Sequence, residues 1–173
     1  WGARTALLVA VVVLTLSNVV GIVLGALAGW ARGIVDDVIM RIADMTMSWP
    51  DLLLAAFLST VVRRPVVEYM EELRETTDWA ILEQTAVVDY LVLFAALALI
   101  GWAGVARLMR GQVLSLREKD FVRAERALGV SDWMIVRRHL IPNAMAPLIV
   151  GITVNVGGVM LSEASLSFLG LGI

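Results

Sequence analysis

No cysteine occurs among the 173 residues. Disulfides and thiol chemistry are thereby excluded, and the redox compartment stays undetermined. Histidine occurs once, at His139, which argues against a histidine-based metal site or a Ser-His-Asp triad. Lysine also occurs once. Lys119 follows no glycine-rich turn, and the phosphate-cradling pattern G-x-x-x-x-G-K-[ST] is missing. Basic charge does not dominate: the formal net charge is −2, which gives no global field for nucleic acid. The first residue is Trp1, not methionine, so the chain is expected to start inside a longer protein. No catalytic residues are assigned, and no enzyme reading has a constellation behind it.

What the sequence has in excess is oil. Hydrophobic residues make up 60%, and the mean hydropathy is +0.85. Soluble domains sit nearer half apolar, and a chain this short cannot hide so much apolar surface in one globule. A bilayer is the expected solvent. Four apolar stretches are expected to cross it, at about 5–30, 45–62, 87–106 and 146–169. About 20 apolar residues suffice for a crossing. The expected fold is an all-α membrane protein, a multi-span helical bundle. Gly21, Gly25 and Gly29 recur every four residues on the first stretch, a spacing that permits close helix approach. The stretch SWPD, Ser48 to Asp51, reads as a helix start with Ser48 as N-cap.

Orientation follows from the arginines. Residues 107–139 carry Arg107, Arg110, Arg117, Lys119, Arg123, Arg126, Arg137 and Arg138; the loop 31–44 adds Arg32 and Arg41. Four crossings place both segments on one side, and the positive-inside rule makes that side the cytoplasm. Asp44 and Asp51 are then expected near the inner interface, as helix-end charges. Residues 63–86 form an extracytoplasmic acidic loop. Within it Val66, Tyr69, Met70, Leu73, Thr77 and Ile81 recur at helical spacing, which predicts a surface helix with Pro65 in its first turn.

Residues 107–142 are the interrupting cytoplasmic loop. Phe121 to Leu128 is rich in helix formers, and Gly129 can take the left-handed conformation that ends a helix. Ser131 or Asp132 can cap a second short helix, Pro142 is expected to stop it, and Asn143 to cap the following span, with Pro147 in its first turn. The result is a rigid basic knob between two membrane helices, suited to docking. Glu163, late in the last span beside Ser162 and Ser165, is a candidate for the translocation path or for a helix break.

At this point the sequence resembles the integral membrane permease subunit of binding-protein-dependent ABC importers, in the dipeptide, oligopeptide and nickel branch. The family's cytoplasmic signature is Glu-Ala-Ala, three residues, Gly, nine residues, Ile, one residue, Leu-Pro. Aligned on Gly129 and Pro142, the spacing is met: Arg123-Ala124-Glu125 fill the first positions, His139 the Ile position and Ile141 the Leu position. GWAGVARLMRGQVLSLRE, RHLIPN, LSEASLSFLGLG, GARTALLV and MRIADMTMSWPDLLLA are similar to the same branch. Arg123 departs from an acidic position and Glu125 from a small one, and the acidic stretch 63–86 is longer than the family implies.

The resemblance implies one permease domain over 1–173, lacking the family's first and last helices. It implies a bacterial or archaeal inner membrane, and docking of separate ATP-binding cassette subunits on Ala124, Ala127, Leu128 and Gly129. Glu125, Arg126 and Asp132 would form the rim, and Pro142 closes the motif. ATP and magnesium would be held by those partners and no cofactor by this chain. A second permease and an extracytoplasmic solute-binding protein complete the set. Alternative readings are a stand-alone channel or secondary transporter, which would place charges or broken helices at mid-membrane, and a membrane scaffold that recruits a cytosolic protein.

Overall fold

The computed structural model describes residues 2–76, 85–168 and 170. Helix α1 runs Gly2–Ala31, α2 Gly33–Met47, α3 Asp51–Thr76 and α4 Thr85–Leu116. Two short helices follow, α5 at Asp120–Ala127 and α6 at Asp132–Ile135; a π-turn spans Val136–Leu140, and α7 runs Ile141–Phe168. No strand occurs among the described residues. Two helical segments pass a length and hydropathy test for crossing a bilayer: Leu7–Ala31 and Asp132–Phe168.

Glycine sets the central contact. A Cβ on Gly21 would lie 2.5 Å from Val105 Cβ, one on Gly25 2.3 Å from the Ala106 carbonyl oxygen, and one on Gly29 2.9 Å from that of Arg110. The backbones of α1 and α4 therefore touch along three successive turns, as small residues allow in lipid. Each step of four residues on α1 meets a step of four in the same direction on α4, so the two helices run parallel. Between them the chain must return across the bilayer. Helices α2 and α3 make that return: Asp36 meets Arg110, Ala43 packs with Trp102, Ala103 and Ala106, and Ala55 clusters with Leu97 and Ile100. Helix α7 climbs antiparallel to α4, with Leu148 in the cluster of Met109 and Val113, and Leu166 in that of Ala55.

Several boundaries differ from the sequence reading. Residues 33–47 are not a loop but the first stage of the ascending limb. Arg32 and Gly33, both at positive φ (57° and 59°), make the turn into it. Ser48 caps the C-terminus of α2, its hydroxyl donating to the Met45 carbonyl, and α3 starts at Asp51. Pro65 lies inside α3, which continues to Thr76, so the described part of 63–86 is mostly a continuation of that helix. Residues Thr77 and Ile81 lie outside the described residues, as does Leu169 at the end of the fourth predicted span. Helix α4 runs ten residues beyond 106, so the interrupting segment is shorter than 107–142.

The largest difference concerns Pro142. It does not stop a helix. The chain is helical without interruption from Asp132 to Phe168, through the π-turn. A proline in an α-helix removes one N–H and clashes with the carbonyl four residues earlier. The wider turn relieves both: Ile141 N–H bonds to Val136, five residues back. Asn143 donates from its side chain to the His139 carbonyl at 2.6 Å and caps no helix start. Pro147 is likewise internal to α7.

Gly25→Leu should separate α1 from α4. Overpacking of this kind typically costs about 1–3 kcal/mol, and the purified complex in detergent should melt several degrees lower by intrinsic fluorescence. An unchanged midpoint would contradict the close approach.

Candidate functional site

The knob at 120–135 has two faces. Its inner face buries Val122, Ile135, Val136 and Leu140 with Met109 and Val113 of α4, Ala26 of α1, and Ala144 and Leu148 of α7. Helix α5 ends where Gly129 adopts φ 77°. The Gly129 amide donates to the Arg126 carbonyl at 3.0 Å and the Val130 amide to Glu125 at 3.1 Å. Those bonds form a Schellman closure, which needs a residue comfortable at positive φ. Ser131 takes the N-cap position before α6, though its hydroxyl makes no cap hydrogen bond.

The outer face is apolar and open. Leu128 is 82% exposed and Trp133 65%. Phe121 and Met134 join them, with Ala124, Ala127, Gly129 and Asp132 also exposed. Ala124, Ala127, Leu128 and Gly129 are thus all exposed on the knob. Phe121, Trp133 and Met134 are additions. Their signal was present in the sequence, as large apolar side chains in short helices too polar to enter lipid.

Two expected rim residues turn away from the tip. The Arg126 guanidinium lies 4.5 Å from the centre of the Trp30 ring, with only a loose contact to Asp132 at 3.9 Å. Glu125 faces inward, where its Oε1 meets His139 Nδ1 at 3.0 Å, and its other oxygen is buried without a hydrogen bond. This pair joins α5 to the π-turn. Two of the positions at which the chain departs from the signature, Glu125 and His139, are therefore partners. Pro142 is the second residue of α7, two positions past the π-segment.

Trp30, at the foot of α1, gathers the neighbouring cations. Arg117 lies 5.5 Å from its ring and donates to the carbonyls of Gly29 at 3.0 Å and Trp30 at 2.7 Å. A cation here satisfies the free C-terminal carbonyls of α1 and the negative end of its dipole. Burial pushes the Arg117 pKa down from its ordinary value, as do Arg32 and Arg126, while Glu118 and Asp132 oppose this. Next to it Arg110 holds Asp36 through two hydrogen bonds of 2.5 and 2.6 Å, and Arg107 pairs with Asp44. These contacts confirm that α2 begins on the same side as the knob. They also tie the knob, α1, α2 and α4 into one block at the inner interface.

The two remaining acidic candidates fall elsewhere. Glu163 is buried in an unbroken stretch of α7; the hydroxyls of Ser162 and Ser165 donate to carbonyls of their own helix, so no helix break occurs there. Asp51 does not lie at the inner interface. It lines a cavity with Ser17 and Asn18, which stand 12–13 residues above Trp30, about 18–20 Å along the helix at 1.5 Å per residue.

Removing the Glu125 carboxylate alone strands His139, and a broken charge-assisted bond costs about 1.5–3 kcal/mol. Glu125→Ala and His139→Ile should each lower the unfolding midpoint, while the double variant should lose less than their sum in a double-mutant cycle. Strict additivity would show that the pair is not coupled.

Residues 21–173 match the family model described as "Binding-protein-dependent transport system inner membrane component". The oligopeptide transport system permease protein OppC of Bacillus subtilis is 30% identical over 172 residues, 99% of this chain and 48% of the relative. The dipeptide transport system permease protein DppC of the same organism is 32% identical over 173 residues, 100% of this chain and 47% of the relative. The oligopeptide permease OppC of Haemophilus influenzae is 32% identical over 171 residues, 99% of this chain and 47% of the relative. The chain spans about half the length of these relatives. An all-helical bundle with a docked knob at its basic end, matched over this extent, belongs to the family of binding-protein-dependent transport system inner membrane components.

Proposed function

We propose that this chain is part of a membrane-spanning subunit of an ATP-driven importer for peptides or similar small solutes, and that residues 120–135 receive the force. The observation that carries the reading is the knob itself. Its outer side exposes Leu128, Trp133, Phe121 and Met134, large apolar side chains of the kind that mark a docking surface. Behind it the buried cluster and Trp30 leave no slack, and α6 continues as one rod into α7. A push on the tip therefore moves α7, α4 and α1 together.

The occupant of the tip is an ATP-binding cassette subunit, which holds ATP and magnesium; this chain serves as a non-catalytic transducer. A second permease and an extracytoplasmic receptor complete the importer. The cargo class follows from the relatives' names, which are those of oligopeptide and dipeptide permeases.

Gly129→Val places a branched side chain at positive φ and distorts the tip without touching the membrane helices. In proteoliposomes holding the full-length chain with its partners, ATP hydrolysis should persist while ATP-driven peptide uptake falls about tenfold, roughly 1.4 kcal/mol of lost coupling. Leu128→Asp should reduce co-purification of the ATP-binding subunits. Normal coupled uptake in both variants would refute the docking role.

A further inference from the structure

A cavity of about 320 Å³ lies between α1, α3, α4 and α7, well away from the knob. Its size falls at the lower end of small-molecule sites. Five polar side chains line it: Ser17, Asn18, Asp51, Asn155 and Ser162. No arginine or lysine is among the lining residues.

Hydrogen-bond direction gives the cavity a character. Ser17 donates its hydroxyl proton to the Ala98 carbonyl at 3.3 Å, Ser162 to Gly158 at 3.0 Å, and Asn18 donates from Nδ2 to Leu14 at 2.7 Å. Each spends one donor within the bundle, and Asn18 keeps a second N–H. Asn18 is only 7% exposed, and its Oδ1 is buried with no hydrogen bond at all. Among the described residues nothing pairs with the Asp51 carboxylate. A buried amide oxygen without a donor costs about 1–3 kcal/mol, and a carboxylate at membrane depth is retained where it has a task.

Glycines keep the space open. At Gly104 and Gly158 an added Cβ would meet nothing within 4 Å, while at Gly101 it would come within 2.7 Å of Ser17 Oγ. Gly101 thus lets its helix pack directly over the Ser17 hydroxyl, and Ser17 is only 2% exposed.

We propose that this cavity binds a protonated primary amine. Asp51 supplies the opposite charge, and the Ser162 hydroxyl oxygen and the Asn155 amide oxygen, both open to the cavity, accept its N–H donors. A cation with three N–H groups matches a wall that offers acceptors and one negative charge. The proposal rests on the transport reading, in which the amine is the free amino terminus of a short peptide in passage.

The test uses the full-length chain in its assembled membrane complex. Gly158→Cys adds a thiol in open space beside the cavity and leaves all five polar side chains in place; the 173 residues contribute no other cysteine. Labelling of this chain is followed with an ammonium-bearing and a sulfonate-bearing thiosulfonate. Alanyl-alanine at millimolar concentration should slow labelling at least about threefold, and N-acetyl-alanyl-alanine should not. Adding Asp51→Asn should lower the ammonium-to-sulfonate rate ratio about tenfold, the weight of one close charge contact in a partly screened site, and Asn155→Leu should lower it by a smaller factor. Equal protection by both peptides, protection by neither, or equal protection by sodium ions would each overturn the amine site. ATP-driven uptake by the unmodified complex is measured separately. Coupled uptake without amine-selective protection would sink the cavity proposal alone, and amine-selective protection without uptake would sink the transport reading alone.

Discussion

The backbone contact between α1 and α4 is the constraint on which the other features rest. Three glycines at one spacing let two parallel helices touch, and lipid offers no hydrophobic penalty to force them together by other means. Parallel neighbours oblige the intervening chain to re-cross the bilayer. That obligation lifts α2 and α3 through the membrane, carries Asp51 to the level of Ser17 and Asn18, and sets Trp30 of α1 beside the arginines that follow α4. The cavity and the clamped knob are both products of one close approach.

At its lower end the same pair of helices becomes a mount. Arg117 closes the open carbonyls of α1, Arg126 reaches back from α5 to the same indole, and the apolar side of the knob fills the gap below α4. Exposed ion pairs such as Arg126 with Asp132 add little at this distance. The rigidity comes from burial and from cations stacked on an aromatic ring, which keep their strength when partly shielded from water.

Much of this was legible in the residues. The apolar stretches, the glycine repeat and the helix-ending role of Gly129 each have a local cause that spacing reveals. Depth was harder to read. Asp51 is the helix-end charge that its place after Pro50 suggests, since it opens α3, but its depth depends on α2 being a rising helix, which the polar residues of 33–44 disguised. Glu125 and His139 looked like two unrelated departures from a motif; they stand fourteen positions apart in sequence and meet only once the knob folds back. Trp30 gave no signal beyond its place near a membrane boundary, since its partners come from two later elements. Proline was the opposite case. Its local signal at Pro142 was strong and pointed to a helix end, but a turn of different width absorbed it.

That wide turn at Val136–Leu140 sets the angular phase of the last helix. Accommodating one surplus residue per turn retards a helix by about 100°, one residue's rotation. Side chains before and after the turn consequently follow two separate stripes around a single rod. The stripe that carries Trp133 outward is not the stripe that later presents Asn155 and Ser162 to the interior. Collapse of the turn to ordinary α-geometry would twist one stripe against the other without bending the rod. Pro142, which has no N–H to complete an ordinary α-turn, is the residue that opposes such a collapse.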